Sequence, residues 1–260
     1  MMPGLNGARV LVTRPAGQAE HLCELIESRG GIPVRFPTLL IVAHQPEAQA
    51  LADAAASDWL IFTSSNAVDF AIPAFGGKMP GWRGARLAAV GAATAQALRQ
   101  AGCEVACVPA SEFSSDGLLA EPALQQVAGL RCTIVRGCGG REKLADGLRG
   151  RGAEVMYLEV YSRSRPEADA AGLRADLQGN RLAAVTVTSV EALQNLLAML
   201  DSESVERLRQ IGLVVVSERI GQTALQLGFK RVAVSSQATD AAILETLTTL
   251  LNGENSGGSN

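Results

Sequence analysis

Short apolar runs rich in Val, Ile and Leu alternate along this chain with stretches of helical periodicity, the pattern of repeated βα units built around parallel sheets. Residues 9–13 predict a strand, 17–28 an amphipathic helix stopped at Gly30 and Gly31, and 32–36 the next strand. The same order returns further on, with a strand at 132–136, a helix at 141–148, a stop at Gly152 and a strand at 154–158. Between these lie units of a second type, in which a strand ends in small polar residues that open a helix. In this way 59–63 leads into 66–70, 87–90 into 94–100, 184–188 into 191–200, and 213–216 into a helix ending near Leu227. Short strands at 105–109 and 231–235 precede the last helix of each half, at 117–124 and 240–251. Residues 38–43 and 159–163 are extended, fit neither unit, and read as paired connectors between domains. The polar, Gly/Ser-rich tail 252–260 is expected to be disordered.

The chain is a duplication. Thr63-Ser64-Ser65-Asn66-Ala67-Val68 returns as Thr188-Ser189-Val190-Glu191-Ala192-Leu193, roughly 125 residues later. Val90-Gly91 answers to Val216-Ser217, Gly102 to Gly228, Val12-Thr13-Arg14 to Ile134-Val135-Arg136, and Arg29-Gly30 to Arg151-Gly152. Two similar α/β modules facing each other would make a cleft, and a cleft is where function is expected.

Composition narrows the classes. With 260 residues, 47% of them hydrophobic, the chain can bury one large or two ordinary cores, the duplication favours two, and with only 4% aromatics the cores are aliphatic. A net charge of −3 argues against nucleic acid or an anionic membrane as partner, because either needs a field of positive charge. No segment approaches the ~18 uninterrupted apolar residues of a membrane span, and no leader pattern opens the chain, so a cytoplasmic protein is expected. The five cysteines, Cys23, Cys103, Cys107, Cys132 and Cys138, show no CxxC and read as reduced, mostly buried small hydrophobes rather than metal ligands or disulfide partners.

None of GxGxxG after a strand, GxxxxGK[ST], HExxH, GxSxG or a paired-carboxylate motif is present. The glycine turn Arg136-Gly137-Cys138-Gly139-Gly140-Arg141 could offer backbone N–H groups to an anion, or could simply be a tight bend. More telling are the strand ends together: Thr13-Arg14, Thr63-Ser64, Gly91 with Thr94, Ser114-Ser115, Arg136-Gly137, Thr188-Ser189 and Ser217. The carboxyl ends of parallel strands line binding crevices, and although each Ser or Thr also reads as a helix N-cap, a capped helix start still offers free N–H groups. A crevice ringed by these ends, with Arg14 and Arg136, suits a ligand bearing several carboxylates. Tyr161 either packs at a domain junction or points its phenol into the cleft, while Tyr157 reads as structural. His21 and His44 read as surface or packing residues.

Arg9-Val10-Leu11-Val12-Thr13-Arg14-Pro15, Ile61-Phe62-Thr63-Ser64-Ser65-Asn66-Ala67-Val68, Val90-Gly91 with Thr94, Val135-Arg136-Gly137 and Glu159-Val160-Tyr161 together resemble the uroporphyrinogen-III synthase family, over about residues 8–250. The resemblance implies two flavodoxin-like α/β domains with parallel sheets, joined by a two-stranded β ladder, the chain crossing twice between them. One domain would comprise 1–37 plus 165–251 and the other 44–158, with 38–43 and 159–164 forming the ladder. It also implies the reaction, in haem and sirohaem biosynthesis: a lyase closes the linear tetrapyrrole hydroxymethylbilane to uroporphyrinogen III, with loss of water and inversion of ring D, without metal or organic cofactor. A reaction governed by geometry suits a chain with few acids and bases.

Tyr161 falls where the family has a tyrosine proposed to assist departure of hydroxide. Ser64, Thr94 and Ser189 fall at cleft-lining positions, and the wider substrate-binding set is Arg14, Thr63, Ser64, Asn66, Gly91, Thr94, Ser115, Arg136, Gly137, Thr188, Ser189 and Ser217. The chain departs from the family at Ile220, where the second copy of the VGxxT motif often carries threonine, and at Ser217, which replaces the motif's glycine; Thr94 belongs to the intact copy. A monomer acting on a small molecule is expected. Two other readings stay open: a non-catalytic two-domain protein that binds a small anion, and a flavodoxin-like nucleotide enzyme resting on the glycine turn alone.

Overall fold

The computed structural model describes residues 4–77 and 84–255. The chain opens with β1 (Arg9–Val12), α1 (Glu20–Ser28) and β2 (Ile32–Arg35). It continues through β3 (Leu40–Ala43), α2 (Ala48–Ala55), β4 (Trp59–Phe62), α3 (Ser65–Ala74), β5 (Arg86–Ala89), α4 (Ala92–Gln100), α5 (Ser115–Ala120), β6 (Arg131–Gly137), α6 (Lys143–Gly150) and β7 (Glu154–Ser164). It closes with α7 (Ala171–Gln178), β8 (Leu182–Val187), α8 (Val190–Ala198), α9 (Ser202–Leu208), β9 (Gly212–Val215), α10 (Glu218–Gln226), β10 (Val232–Val234) and α11 (Asp240–Asn255). Two compact units result: Met1–Leu40 with Ser164–Asn260, and Ile41–Arg163.

The first unit is built on a five-stranded sheet ordered β10-β9-β8-β1-β2. Its strands read as unbroken apolar runs because both faces are covered. Alternate residues go to opposite sides. Leu11, Val185 and Val215 pack with Leu193, Leu196, Leu208 and Phe229 on one face. Val10, Val12 and Val214 meet Leu22 and Ile26 of α1 and Ile243 and Leu247 of α11 on the other. β1 pairs in parallel with β8, Val10 opposite Ala184 and Val12 opposite Thr186. The Thr13 and Thr186 hydroxyls, both buried, stitch this seam by donating to Thr186 O at 2.8 Å and Leu11 O at 3.2 Å.

The second unit carries a sheet ordered β3-β7-β6-β4-β5. Leu60, Phe62, Val135 and Val160 pack against α3 and α4 on one face, while Trp59, Ile61 and Ile134 pack against Leu118 of α5 and Leu144 and Leu148 of α6 on the other. The strand order reverses between β1 and β8 in the first sheet and, inside the edge strand β3, between β6 and β4 in the second. A reversal opens a crevice at the carboxyl ends of the flanking strands.

Several elements differ from the pattern read off the sequence. The helix expected at 17–28 is a 3₁₀ turn at Ala16–Gln18 followed by α1. The strand expected at 105–109 is a single bridge between Ala88 and Cys107, and Pro109 has no N–H with which to extend it. The helix expected at 117–124 breaks after Ala120, where Glu121, restricted by the following Pro122, turns extended with ψ 135°. Residues 154–158 and the connector at 159–163 form one continuous strand, β7. The expected disordered tail is helical through Asn255, with the Asn252 side chain donating to Thr248 O at 2.9 Å and Gly4 O at 3.5 Å; positions 256–260 lie outside the described residues. The helices α2, α7 and α9 were not anticipated. Among the described residues, no helix is long and apolar enough to cross a membrane.

Candidate functional site

At the strand-order reversal of the second unit lies a cavity of about 230 Å³, lined by residues from the ends of β4, β5, β6 and β7 and the starts of α5 and α6. Thr63 and Ser64 enter from the end of β4, Arg136 and Gly137 from the end of β6, Tyr161 and Arg163 from β7, and Ser115 from the start of α5. Six of the residues singled out from sequence therefore meet in one place: Thr63, Ser64, Ser115, Arg136, Gly137 and Tyr161.

Ser64 is the N-cap of α3, its Oγ accepting the Ala67 N–H at 3.1 Å. The same oxygen lies 3.1 Å from the Tyr161 phenol oxygen. Thr63 turns its hydroxyl back onto Val135 O at 3.3 Å, tying β4 to β6. The Tyr161 ring is buried, 4% exposed, with the Phe70 ring 5.7 Å away between centroids. The packing and cleft-facing readings of this tyrosine are compatible: the ring belongs to the core while the residue lines the cavity.

Arg136 is engaged inside the protein. Its guanidinium pairs with Glu142 at 3.0 Å and Glu159 at 3.2 Å, donates to Gly140 O at 3.3 Å, and stacks on the Tyr157 ring, 3.8 Å from its centroid. Burial opposes its charge, but the hydrogen bonds and charges of Glu142 and Glu159 outweigh that and raise its pKa further. The Tyr157 phenol donates to Glu142, and this bond together with that from Arg136 holds the Glu142 carboxyl below its ordinary range. Arg136 thus clamps the glycine turn between β6 and α6.

Two other cations, Arg141 and Arg163, stand on the cavity wall outside the set of residues expected to bind substrate. Arg141 is exposed and makes no ion pair among the described residues. Its signal was present, since it closes the glycine turn; Arg163 follows Tyr161 by two residues and so shares its face of β7. Val90, Ile134, Gly140 and Leu144 complete the lining, and no carboxylate is part of it.

The remaining candidates sit elsewhere. Asn66 is in the first turn of α3, Gly91 caps α4 beside Phe113, and Thr94 is buried within α4 at 5% exposure; none of the three lines the cavity. In the first unit Arg14 follows β1, Thr188 and Ser189 follow β8, and Ser217 follows β9, all at the carboxyl edge of their sheet. Ser189 accepts the Ala192 N–H at 3.0 Å and Ser217 the Ile220 N–H at 3.5 Å, each as an N-cap. Arg14 pairs with Asp240 at 2.5 Å, and that carboxylate also meets His21 at 2.8 Å.

The family model described as uroporphyrinogen-III synthase HemD matches residues 20–245. A uroporphyrinogen-III synthase of Escherichia coli is 35% identical over 92% of this chain and 99% of its own length. That of Salmonella typhimurium is 34% identical over the same shares. Among solved structures, a mutant uroporphyrinogen III synthase of Thermus thermophilus superposes with a TM-score of 0.66 at 22% identity, covering 95% of this chain and 100% of that one. The Helicobacter pylori enzyme does so with 0.62 at 14% identity, over 94% and 99%. At those identities the structural likenesses speak for the fold.

Proposed function

The chain belongs to the uroporphyrinogen-III synthase family, and from that premise we propose that it closes hydroxymethylbilane to uroporphyrinogen III, with Tyr161 assisting departure of the hydroxyl group. The observation that carries this assignment is the Ser64–Tyr161 hydroxyl pair, its oxygens 3.1 Å apart, on a cavity wall that also bears Arg141 and Arg163 and no carboxylate. A cavity of about 230 Å³ suits one substituted pyrrole ring rather than all four.

In this reading the Tyr161 phenol gives its proton to the hydroxymethyl oxygen as the C–O bond breaks with its electron pair going to oxygen, so that water leaves. The pyrrole left behind is an electrophilic azafulvenium cation, its charge balanced by the phenolate. Attack by the substituted carbon of ring D on that centre forms a spiro intermediate; the bond from that carbon to the bridge toward ring C then breaks, the freed bridge carbon closes onto the unsubstituted α-carbon of ring D, which inverts the ring, and the α-proton released on rearomatisation returns to the phenolate. The cations hold carboxylate side chains of the substrate, and the enzyme's main contribution is the folded geometry of the chain.

The open tetrapyrrole closes unaided to the type I ring, so product identity is the test. Purified protein incubated with hydroxymethylbilane should yield mainly the type III isomer after oxidation and chromatographic separation. Type I product alone from folded protein would defeat the assignment in favour of a binding protein.

A further inference from the structure

We infer that Ser64 and Gly137 are positioning residues for the Tyr161 phenol, Ser64 by donating its hydroxyl hydrogen to the phenol oxygen and Gly137 by leaving the space in which the ring stands. The inference rests on Tyr161 as the proton donor and replaces the expectation that Ser64 and Gly137 bind substrate themselves.

Geometry leaves either hydroxyl as the donor in the Ser64–Tyr161 hydrogen bond, and the proton that the reaction needs sets its direction. A serine hydroxyl has one hydrogen and room to accept, and the Ser64 oxygen already accepts the Ala67 N–H at 3.1 Å. Were Tyr161 the donor to Ser64, the phenol proton would be committed to the serine and withheld from the leaving group. With Ser64 donating instead, the bonds run one way: Ala67 N–H to Ser64, Ser64 O–H to Tyr161, and Tyr161 O–H free for the departing hydroxyl. Each bond in such a chain polarises the next, and this one begins at the positive end of the ten-residue helix α3. As the proton leaves Tyr161, negative charge grows on the atom that Ser64 faces, so the bond strengthens toward the transition state and favours it over the ground state.

Gly137 acts on the ring. It stands opposite Tyr161 in the β6–β7 pairing, just past a register shift between Arg136 and Gly137. A Cβ at this position would lie 2.5 Å from Tyr161 Cε2 and 2.6 Å from Cζ, distances at which one group must move. The strand is pinned there by the Cys138 N–H donating to Tyr161 O at 2.8 Å. The displaced part is therefore the ring, and with it the 3.1 Å contact to Ser64.

The experiment measures kcat and KM for type III product in Tyr161→Phe, Ser64→Ala, Ser64→Gly, Ser64→Thr and Gly137→Ala, and in the doubles that join Tyr161→Phe to Ser64→Ala and to Gly137→Ala. Tyr161→Phe should lower kcat ~10²-fold, the scale of general acid catalysis. Ser64→Ala and Ser64→Gly should lower kcat about tenfold, the scale of a hydrogen bond to a developing charge, with KM nearly unchanged, and Ser64→Thr should restore turnover. Glycine caps a helix almost as well as serine, so Ser64→Gly separates the hydroxyl from the cap. Both doubles should be no slower than Tyr161→Phe alone, because a seat has nothing to do once the phenol oxygen is gone. A raised KM with intact kcat in the Ser64 variants, or losses that multiply in the doubles, would overturn the inference while leaving Tyr161 in place. Unchanged turnover in Tyr161→Phe would remove the underlying assignment and the inference together.

Discussion

The Arg136 guanidinium lies 3.8 Å from the centroid of the Tyr157 ring, and two carboxylates, Glu142 and Glu159, bind the same guanidinium. An arginine engaged on three sides has little left for a substrate. Its side chain is only 10% exposed, so removing it leaves carboxylates facing a void as well as an unsupported Gly140 carbonyl.

Arg136→Ala should therefore act on stability first. Since Glu142 and Glu159 keep partial access to water, the cost is expected at about 2 kcal/mol rather than the larger figure for a fully buried pair. Urea unfolding checks the stability, and KM at fixed ionic strength checks the substrate. Unaltered stability with a severalfold rise in KM would return Arg136 to substrate binding.

Arg141 should show the opposite behaviour. It is exposed, lines the cavity, and has no ion pair among the described residues. Arg141→Ala should raise KM about five- to tenfold, the scale of one charge-assisted hydrogen bond, and weaken the salt dependence of KM, while leaving the urea midpoint in place. A KM that does not move would show that the cavity's cationic hold lies elsewhere.

These two arginines mark what was legible in the sequence. The strands were legible because sheets buried on both faces write unbroken apolar runs such as Trp59–Phe62. The helix ends were legible too: Gly30 and its duplicate Gly152 adopt φ of 73° and 81°, a conformation that glycine takes without penalty. Ser64 and Ser189 announced helix starts and are N-caps. Contacts across the sheet were not legible. Glu159 reaches Arg136 only because β6 and β7 pair, and Ser64 reaches Tyr161 across 97 residues of sequence. Chemistry-bearing residue types could thus be named, whereas nothing local told which arginine is spent on carboxylates of its own chain. The helices α2, α7 and α9 went unread because runs such as AQALADAA are mostly alanine, with a single large apolar residue to mark a buried face.

Glu142 gives a pH signature. Hydrogen bonds from Tyr157 and Arg136 depress its folded-state pKa. A depressed carboxyl contributes stability that is present above its unfolded pKa and lost as pH falls through its folded value. The urea midpoint of the parent protein should thus fall on going from pH 6 to below the ordinary carboxylate range of about 4, and Glu142→Gln should flatten part of that fall. Identical pH profiles for parent and variant would mean that the Arg136 clamp does not depend on the Glu142 charge.

A loop held by backbone contacts brings Ser115 to the cavity. Gly117, buried in the first turn of α5, gives its N–H to the Ser114 hydroxyl at 3.1 Å. Its own backbone has no need of glycine, because its φ is not positive. The constraint is space: a Cβ there would stand 1.8 Å from the Glu112 carbonyl oxygen and 2.9 Å from its carbon. Those are backbone atoms, and Ser114 N–H bonds the same carbonyl at 2.8 Å, so no side chain can rotate away to relieve the overlap. Gly117→Ala should consequently cost about 3 kcal/mol, the upper end for overpacking, unless residues 112–115 shift as a body. A shift would carry Ser115 off the cavity wall and lower kcat/KM at constant stability. Unfolding midpoint and steady-state rate measured on the same sample therefore divide the outcomes, and a variant unchanged in both would show that the loop is not held where the Ser114 cap places it.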